Sequence, residues 1–234
     1  MIPWLGHRDE FPHPDHALLQ PSGLLAAGGD LSTDRLLAAY RHGIFPWYSA
    51  GEPILWWSPD PRMVLYPAEL RIQRSLAKRL KRQDYEVRVN TAFAQVIHAC
   101  AAPRKEHGDT WITPEMIDAY IRLHTIGMAH SVETWIDGQL AGGLYGIAIG
   151  RAIFGESMFA QAPDASKIAL VHLVRRLEAA KFGLIDCQMN TYHLARFGAR
   201  EISRRSFLLQ LEELVNYLPT KGLWPPPAPE LTDS

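Results

Sequence analysis

The 234-residue chain reads as an α+β protein: a small N-terminal α/β unit, residues 1–66, ahead of a larger unit, residues 67–234. Two observations predict this. Three extended segments joined by tight turns run consecutively from Ala129 to Phe159; a helix with an apolar stripe follows, then a buried strand at Leu184–Gln188, a short helix and a last strand. Grouped strands with helices laid against them make an α+β layer structure, not an alternating parallel one. The first 66 residues are rich in Pro, Gly and Trp and have room only for short elements, and the length suits a small domain followed by a larger one.

In the N-terminal unit, Ser32 to His42 is the helix candidate, with Ser32 placed to cap it and Gly43 to stop it. Residues 43–48 and 54–62 read as loops and short strands whose aromatics form either a small core or one wall of a cleft. Residues 71–82, RIQRSLAKRLKR, hold six basic side chains and no acid. Leu76 and Leu80 share one helical face, so that either Arg74, Lys78 and Arg82 or Arg79 with Lys81 point outward. The run is a solvated surface helix or a phosphate-binding face. Thr113-Pro114-Glu115 has the form of a helix start, with Thr as cap and Pro at the first position; Trp111 stands just ahead, in the segment Gly108 to Thr113.

Asp137-Gly138 is a hairpin signal between alternating runs at 129–136 and 139–149. Gly150-Arg151 turns the chain into a third strand, 152–159. Asp164 or Ser166 then caps a long helix whose buried stripe is Ile168, Val171, Val174 and Leu177 and whose stop is Gly183. A short helix near 193–196 and a strand near 201–203 complete the set. The Pro-rich end, including Trp224 to Pro227, reads as a surface tail.

Composition narrows the function. The net charge of -1 confines any nucleic-acid contact to a local patch. Two distant cysteines, Cys100 and Cys187, form neither a disulfide framework nor a zinc pair, and the ten histidines show no metal spacing, so no metal and no cofactor is expected. The N-terminus has no signal-peptide pattern and no stretch is long enough to span a membrane. A cytoplasmic, monomeric protein is the expectation.

Three places invite chemistry. Asp186 and Gln188, two apart in a strand, should look into one space, and a buried carboxylate there needs a partner or a purpose. Glu156 interrupts the apolar strand Gly155 to Phe159; its pattern reads as an exposed edge position. Trp111 is placed to cover a ligand or to staple the helix after it.

The segments GGDLS (28–32), GIFPWYS (43–49), PILWWSPDPR (53–62), TWIT (110–113), AHSVETW (129–135), GGLYG (142–146), FGESMF (154–159), ASK (165–167), LIDCQ (184–188) and HLARFGA (193–199) together resemble the bacterial leucyl/phenylalanyl-tRNA–protein transferases, in order and over nearly the whole chain. The resemblance implies a C-terminal domain like the GNAT acyltransferases. It implies transfer of Leu or Phe, less readily Met, from aminoacyl-tRNA to proteins beginning with Arg or Lys, the product being marked for degradation. On the same ground Asp186 and Gln188 hold the attacking amine, and either of them or the tRNA's own vicinal hydroxyl takes its proton. Glu156 and Asp186 supply negative charge for a cationic acceptor. Leu144, Ile153, Leu170, Leu177 and Ile185 line the amino-acid pocket, Trp47 and Trp111 stack on the terminal adenosine, and Ser157 and Ser166 join the substrate-binding set. Arg74, Lys78, Arg79, Lys81 and Arg82 contact tRNA.

Two rivals make different use of the residues. An acetyl-CoA enzyme needs a Gly-rich turn before the central helix, where this chain has Gln161-Ala162-Pro163-Asp164-Ala165-Ser166. A non-catalytic RNA-binding module leaves the buried acid and the apolar pocket without a job.

Overall fold

The computed structural model describes residues 2–82, 84–103, 110–219 and 222–227; Gly108, Asp109 and the tail after residue 227 lie outside them. The elements in order are β1 (Trp4–Leu5), β2 (Leu24–Gly28), α1 (Thr33–Arg41), β3 (Phe45–Pro46), β4 (Leu55–Trp57), β5 (Arg62–Leu65), α2 (Arg74–Leu80), β6 (Glu86–Val89), α3 (Phe93–Ala101), α4 (Pro114–Thr125), β7 (Ala129–Ile136), β8 (Gln139–Ile149), β9 (Ala152–Ala160), α5 (Ala165–Ala179), β10 (Leu184–Gln188), α6 (Tyr192–Ala195), β11 (Arg200–Ile202) and α7 (Arg204–Leu214). The small sheet has the order β1-β2-β4-β3 and the large one β11-β5-β10-β9-β8-β7-β6. In the large sheet β9 and β10 run parallel, which requires a crossover, and α5 supplies it. The α+β class holds.

The expected boundary at residue 66 falls after β5, which belongs to the large sheet between β11 and β10. The two sheets also share one core: Trp56 and Tyr40 from the N-terminal part pack with Val64, Phe93, Tyr120, Tyr145 and Phe154. A second core lies on the other side of the large sheet, under α5 and α2, and holds Leu144, Ile153, Leu170, Leu177 and Ile185. The stripe Ile168, Val171, Val174 and Leu177 is fully buried. Where α5 crosses β8, a Cβ on Gly142 would stand 2.6 Å from the Ala165 Cβ, so only glycine allows this approach.

Several local expectations are corrected. Ser32 sits at the start of α1 but its side chain makes no capping bond; its N–H is instead bound by Asp30 Oδ1 at 2.9 Å. Gly43, at φ 70°, does end that helix. Neither acid nor serine caps α5 through a side chain: Asp164 holds the cap position at φ 63° and pairs with Lys167. Helix α5 stops at Ala179, with Lys181 at φ 58° taking the left-handed turn that Gly183 was expected to provide. Gly183 serves packing, since a Cβ there would meet Leu214 Cδ2 at 2.4 Å.

Helices α3 and α7 are absent from the sequence reading. Phe93, Val96, Ile97 and Cys100 give α3 a buried stripe; in α7 it is Arg204, Phe207 and Leu211, behind a Ser203 cap on Ser206 N. The Pro-rich end is no free tail. Leu223 is buried, Trp224 stacks on His130 at 4.2 Å with rings 7° apart, and Asn90 Nδ2 donates to Pro225 O at 2.7 Å. It straps the β6–β7 edge of the sheet to α5, where Arg176 Nε donates to Leu223 O at 2.7 Å.

Candidate active site

A cleft of ≈ 390 Å³ opens where the N-terminal aromatics meet the middle of the large sheet. Its lining includes Trp47 and Trp111, the apolar side chains Leu65, Leu144, Met158, Leu170, Leu173 and Ile185, the polar Glu156, Ser157 and Gln188, and the rim residues Met189, Thr191 and His193. Tyr48 Oη and Thr113 Oγ1 lie 3.2 Å apart, tying together the two segments that carry the tryptophans. Trp57 Nε1 donates to Trp47 O at 2.7 Å, and the two indoles meet edge to face at 5.5 Å. Trp47 keeps 36% of its surface exposed, so a large flat face remains open at the mouth.

Two irregularities in adjacent strands shape the polar wall. The β8–β9 register passes from Gly146↔Gly155 to Tyr145↔Ser157, leaving Glu156 as an unpaired extra residue. The β10–β5 register passes from Asp186↔Val64 to Gln188↔Met63, leaving Cys187 extra. Such bulges re-aim side chains. The second one puts Gln188 at φ 62°, a strained position for a non-glycine residue.

This corrects the expected shared space of Asp186 and Gln188. Asp186 is fully buried, outside the cleft lining, and taken by Arg62: Nε donates to Oδ1 at 2.8 Å and Nη2 to Oδ2 at 2.6 Å. Arg62 is itself fully buried between the rings of Phe45 and Phe207, at 4.9 and 4.6 Å. The same Asp186 Oδ1 accepts from Gln188 N at 2.9 Å. The acid thus fixes the bulge, and the bulge turns Gln188 into the cleft.

Glu156 is not an exposed edge residue. It stands on β9 in the sheet interior, 9% exposed, and accepts from Tyr40 Oη at 2.9 Å, Tyr120 Oη at 3.0 Å and Gln188 Nε2 at 3.1 Å. Tyr40 and Tyr120 also meet each other at 2.5 Å. With both phenols donating to Glu156, the Tyr40–Tyr120 contact has no proton of its own; a protonated carboxyl that donated to one phenol would free a proton for it. Burial pushes Glu156 up from 4.5 to about 7, with the tyrosine hydrogen bonds opposing it and the nearby Asp186 adding to it. Burial likewise drives Tyr40 and Tyr120 well above the ordinary phenol value.

Of the other residues singled out from the sequence, Leu144, Ser157, Leu170 and Ile185 line the cleft, whereas Ile153 and Leu177 lie in the core behind it. Ser166, in the first turn of α5 against Gly142, is not among the lining residues. On α2, Arg74 and Lys78 are exposed, as are Lys81 and Arg82 just after it. Arg79 turns inward, bound to Asp84 and set over the Tyr85 ring at 5.3 Å, so it is not one of the outward cations. The sequence reading missed Arg62, Tyr40, Tyr120 and His193. A Tyr on the buried stripe of a helix is the signal it left unused, because a buried phenol requires a partner.

A family model for leucyl/phenylalanyl-tRNA protein transferases matches residues 64–212, and one for the N-terminal domain of the same proteins matches residues 29–60. Relatives named leucyl/phenylalanyl-tRNA–protein transferase include those of Azoarcus sp. (strain BH72), 61% identical with 96% of this chain and 95% of that one covered, and Nitrosomonas europaea, 63% identical with 94% and 92% covered. Chromobacterium violaceum has one that is 60% identical over 96% of each chain. Likeness to solved structures is loose: an L-PGS from Bacillus licheniformis gives a TM-score of 0.42 at 12% identity over 83% of this chain and 74% of that one, and a GCN5-related N-acetyltransferase from Kribbella flavida 0.35 at 12% over 71% and 60%. Matched by family models over most of its length and by relatives of this name at about 60% identity, the chain belongs to the leucyl/phenylalanyl-tRNA–protein transferase family.

Proposed function

We propose that the cleft seats the 3′ aminoacyl-adenosine of a charged tRNA and passes its Leu or Phe, less readily Met, to the α-amine of a protein that begins with Arg or Lys. The chain is an aminoacyltransferase acting on aminoacyl-tRNA and protein; the cleft's make-up supports the finer reading. One space combines two indoles at the mouth, an aliphatic floor and the Glu156–Gln188 pair. Trp47 and Trp111 offer stacking faces for adenine. Leu144, Leu170 and Ile185, with Met158 and Leu173, would take the apolar side chain, and a charged one would be desolvated there without a partner. Ile153 and Leu177 support that floor from behind.

In the reaction the acceptor nitrogen attacks the ester carbonyl carbon, an amide bond forms, and the bond to the ribose oxygen breaks. An N-terminal ammonium must first give up one proton, since its ordinary pKa is about 8; the attacking nitrogen loses a second, and the departing ribose oxygen takes one up. Gln188 commits its Nε2 to Glu156, so its amide oxygen is the group it presents to an approaching N–H. An amide oxygen is a feeble base, so Gln188 orients the amine while Glu156, poised near neutrality, or the ribose hydroxyl moves the proton. Asp186 acts through Gln188, by holding its backbone. Because Arg62 offsets the charge of Asp186, attraction of a cationic acceptor residue rests on Glu156.

The acetyl-CoA reading finds less support: Asp164 occupies the start of α5, where a pyrophosphate would need the helix N-terminus free of negative charge. The test mixes the protein with Leu-tRNA, a chelator and peptides starting with Arg or Ala, without ATP or CoA. The Arg peptide gains one leucine by mass spectrometry and the Ala peptide little, with the preference growing as pH rises through about 7, where Glu156 ionises. An α-acetylated peptide that still gained leucine would overturn the reading.

A further inference from the structure

His193 has no job in the chemistry described above. It lines the cleft rim, and its Nε2 is buried with no hydrogen-bond partner. A buried, unpaired ring nitrogen is costly, and the side chain that carries it lines the space a substrate enters. Its surroundings are cationic: Lys167 from α5 and Arg196 from the end of α6 both act on it electrostatically. Burial, with these two charges, holds His193 below its ordinary value, so at neutral pH it is an uncharged N–H donor or acceptor. Lys167 is already engaged by Asp164. Arg196 is exposed, and its Nη2 is bound to Gln73 Oε1. Gln73 is the residue immediately before α2, the helix that carries Arg74 and Lys78. A run of polar donors therefore links α2 to the cleft: Arg74 and Lys78 on the helix, Arg196 bound to Gln73 beside it, and His193 at the rim.

We propose that Arg196 and His193 form a phosphate track that carries the single-stranded 3′ end of the tRNA from helix α2 into the cleft, with the His193 Nε2–H donating to a phosphate oxygen near the terminal nucleotide. The proposal rests on the donor reading above and adds the segment between its two ends. An RNA strand bound at α2 with its last base at the tryptophans must cross this interval, and its backbone carries one negative charge per nucleotide. Arg196 offers a planar donor fork that phosphate accepts in pairs, and the Gln73 bond holds that fork toward α2. The charged groups that act on His193 are Lys167 and Arg196, both cationic, while Glu156 lines the same cleft on β9.

The test compares three donors: the leucyl ester of adenosine, which has no phosphate, the leucyl ester of the trinucleotide CCA, and full Leu-tRNA. The readout is kcat/KM for transfer to an Arg peptide, in the wild type, Arg196→Ala, His193→Leu and His193→Gln, with circular dichroism to confirm folding. The wild type should prefer the CCA ester to the adenosine ester by about 10-fold or more, a charge-assisted contact or two. Arg196→Ala and His193→Leu should each pull that ratio down by about 10-fold, while His193→Gln, which keeps an amide N–H, should retain most of it. With full tRNA, Arg196→Ala should also flatten the plot of log K against log salt by about 0.7, the single-strand value for one contact. A wild-type ratio near one, or variants that lose both esters in step, would overturn the track while leaving the donor reading intact. A wild type that takes leucine from none of the three donors would sink the donor reading, and the track with it.

Discussion

Glu133 and Glu156 are buried carboxylates on β7 and β9 of one sheet, and they are satisfied in opposite ways. Glu133, fully buried, accepts from Thr91 N at 3.1 Å, Ala92 N at 3.2 Å, Ser131 Oγ at 2.6 Å and Thr91 Oγ1 at 2.5 Å. Its donors include the backbone at the start of α3, so the side chain closes that helix end. Glu156 accepts from two phenols and an amide, the phenols also meet each other with no proton left between them, and a cleft lies on one side. The first arrangement anchors the start of α3, and in the second burial pushes the carboxyl up to about 7. Asp186 stands between them: a structural ion pair by its partner Arg62, but tied to the cleft through Gln188 N. Both acids are buried, and the donor set is what distinguishes them.

The largest effect should come from separating the Arg62–Asp186 pair. Removing either partner leaves an uncompensated buried charge, which costs about 3–5 kcal/mol. Arg62→Met or Asp186→Leu alone should therefore lower the urea midpoint sharply, while the double variant should recover most of the loss, a coupling that a double-mutant cycle reads directly. Transfer should stay impaired in the double variant, because Gln188 N has lost its anchor. Additive losses in the cycle would show the pair to be less coupled than its geometry says.

Glu156 comes next. Its folded pKa is raised, from 4.5 to about 7, so between these values the native state holds a proton that the unfolded chain has released, and stability falls as pH rises. The full difference is about 3 kcal/mol. Glu156→Gln should remove this component: between pH 4.5 and 7, denaturation curves of the wild type should lose stability relative to the variant by that amount. Parallel pH profiles for the two proteins would mean that Glu156 is ionised throughout, and the proton count around the tyrosines would be wrong.

Glu133→Gln should matter less, by about 1–2 kcal/mol, since an amide oxygen still accepts from the α3 backbone while its NH₂ faces donors. The specific outcome is lower thermal stability with an unchanged kcat/KM. A variant that stays stable but loses transfer would erase the distinction between the two acids.

How far the sequence shows this contrast depends on the reach of each contact. Elements set by local pattern were legible: the Asp137-Gly138 hairpin, the α5 stripe, and the Thr113 cap, which accepts from Met116 N at 3.3 Å. So was the strangeness of Asp186 beside Gln188. Its partner was not, because Arg62 is 124 residues away and no periodicity announces an ion pair. Glu156 looked like an edge residue because strand alternation cannot tell an edge from the middle of a sheet whose other face holds phenols from α1 and α4. The bulges at Glu156 and Cys187 add one residue to each strand and are invisible to a period of two. The strap at Leu223 to Pro225 was read from its prolines, which forbid helix and central strand but say nothing about docking.

That strap covers a buried base, in place of a buried acid, and it gives the smallest effect. His130 is 4% exposed beneath Trp224, and burial, with His124 and Arg176 nearby, lowers it from 6.5 to about 3. Asn90 Nδ2 lies 3.1 Å from His130 Nδ1, and a neutral ring accepting there keeps the contact satisfied. The sign is opposite to that of Glu156. A lowered histidine pKa means that the exposed ring binds a proton the covered ring refuses, so the closed strap loses free energy as pH falls from 6.5 toward 3. The strap is a local element, and it can open before the fold does. Its opening therefore limits how far the His130 pKa can drop. Trp224→Ala removes a stacked pair worth about 1 kcal/mol, and should lower stability at pH 7 by that much while moving the His130 ring titration, followed by NMR, up toward 6.5. A titration that stayed near 3 in the variant would assign the burial of His130 to the sheet and α4, and leave the strap as a passive cover.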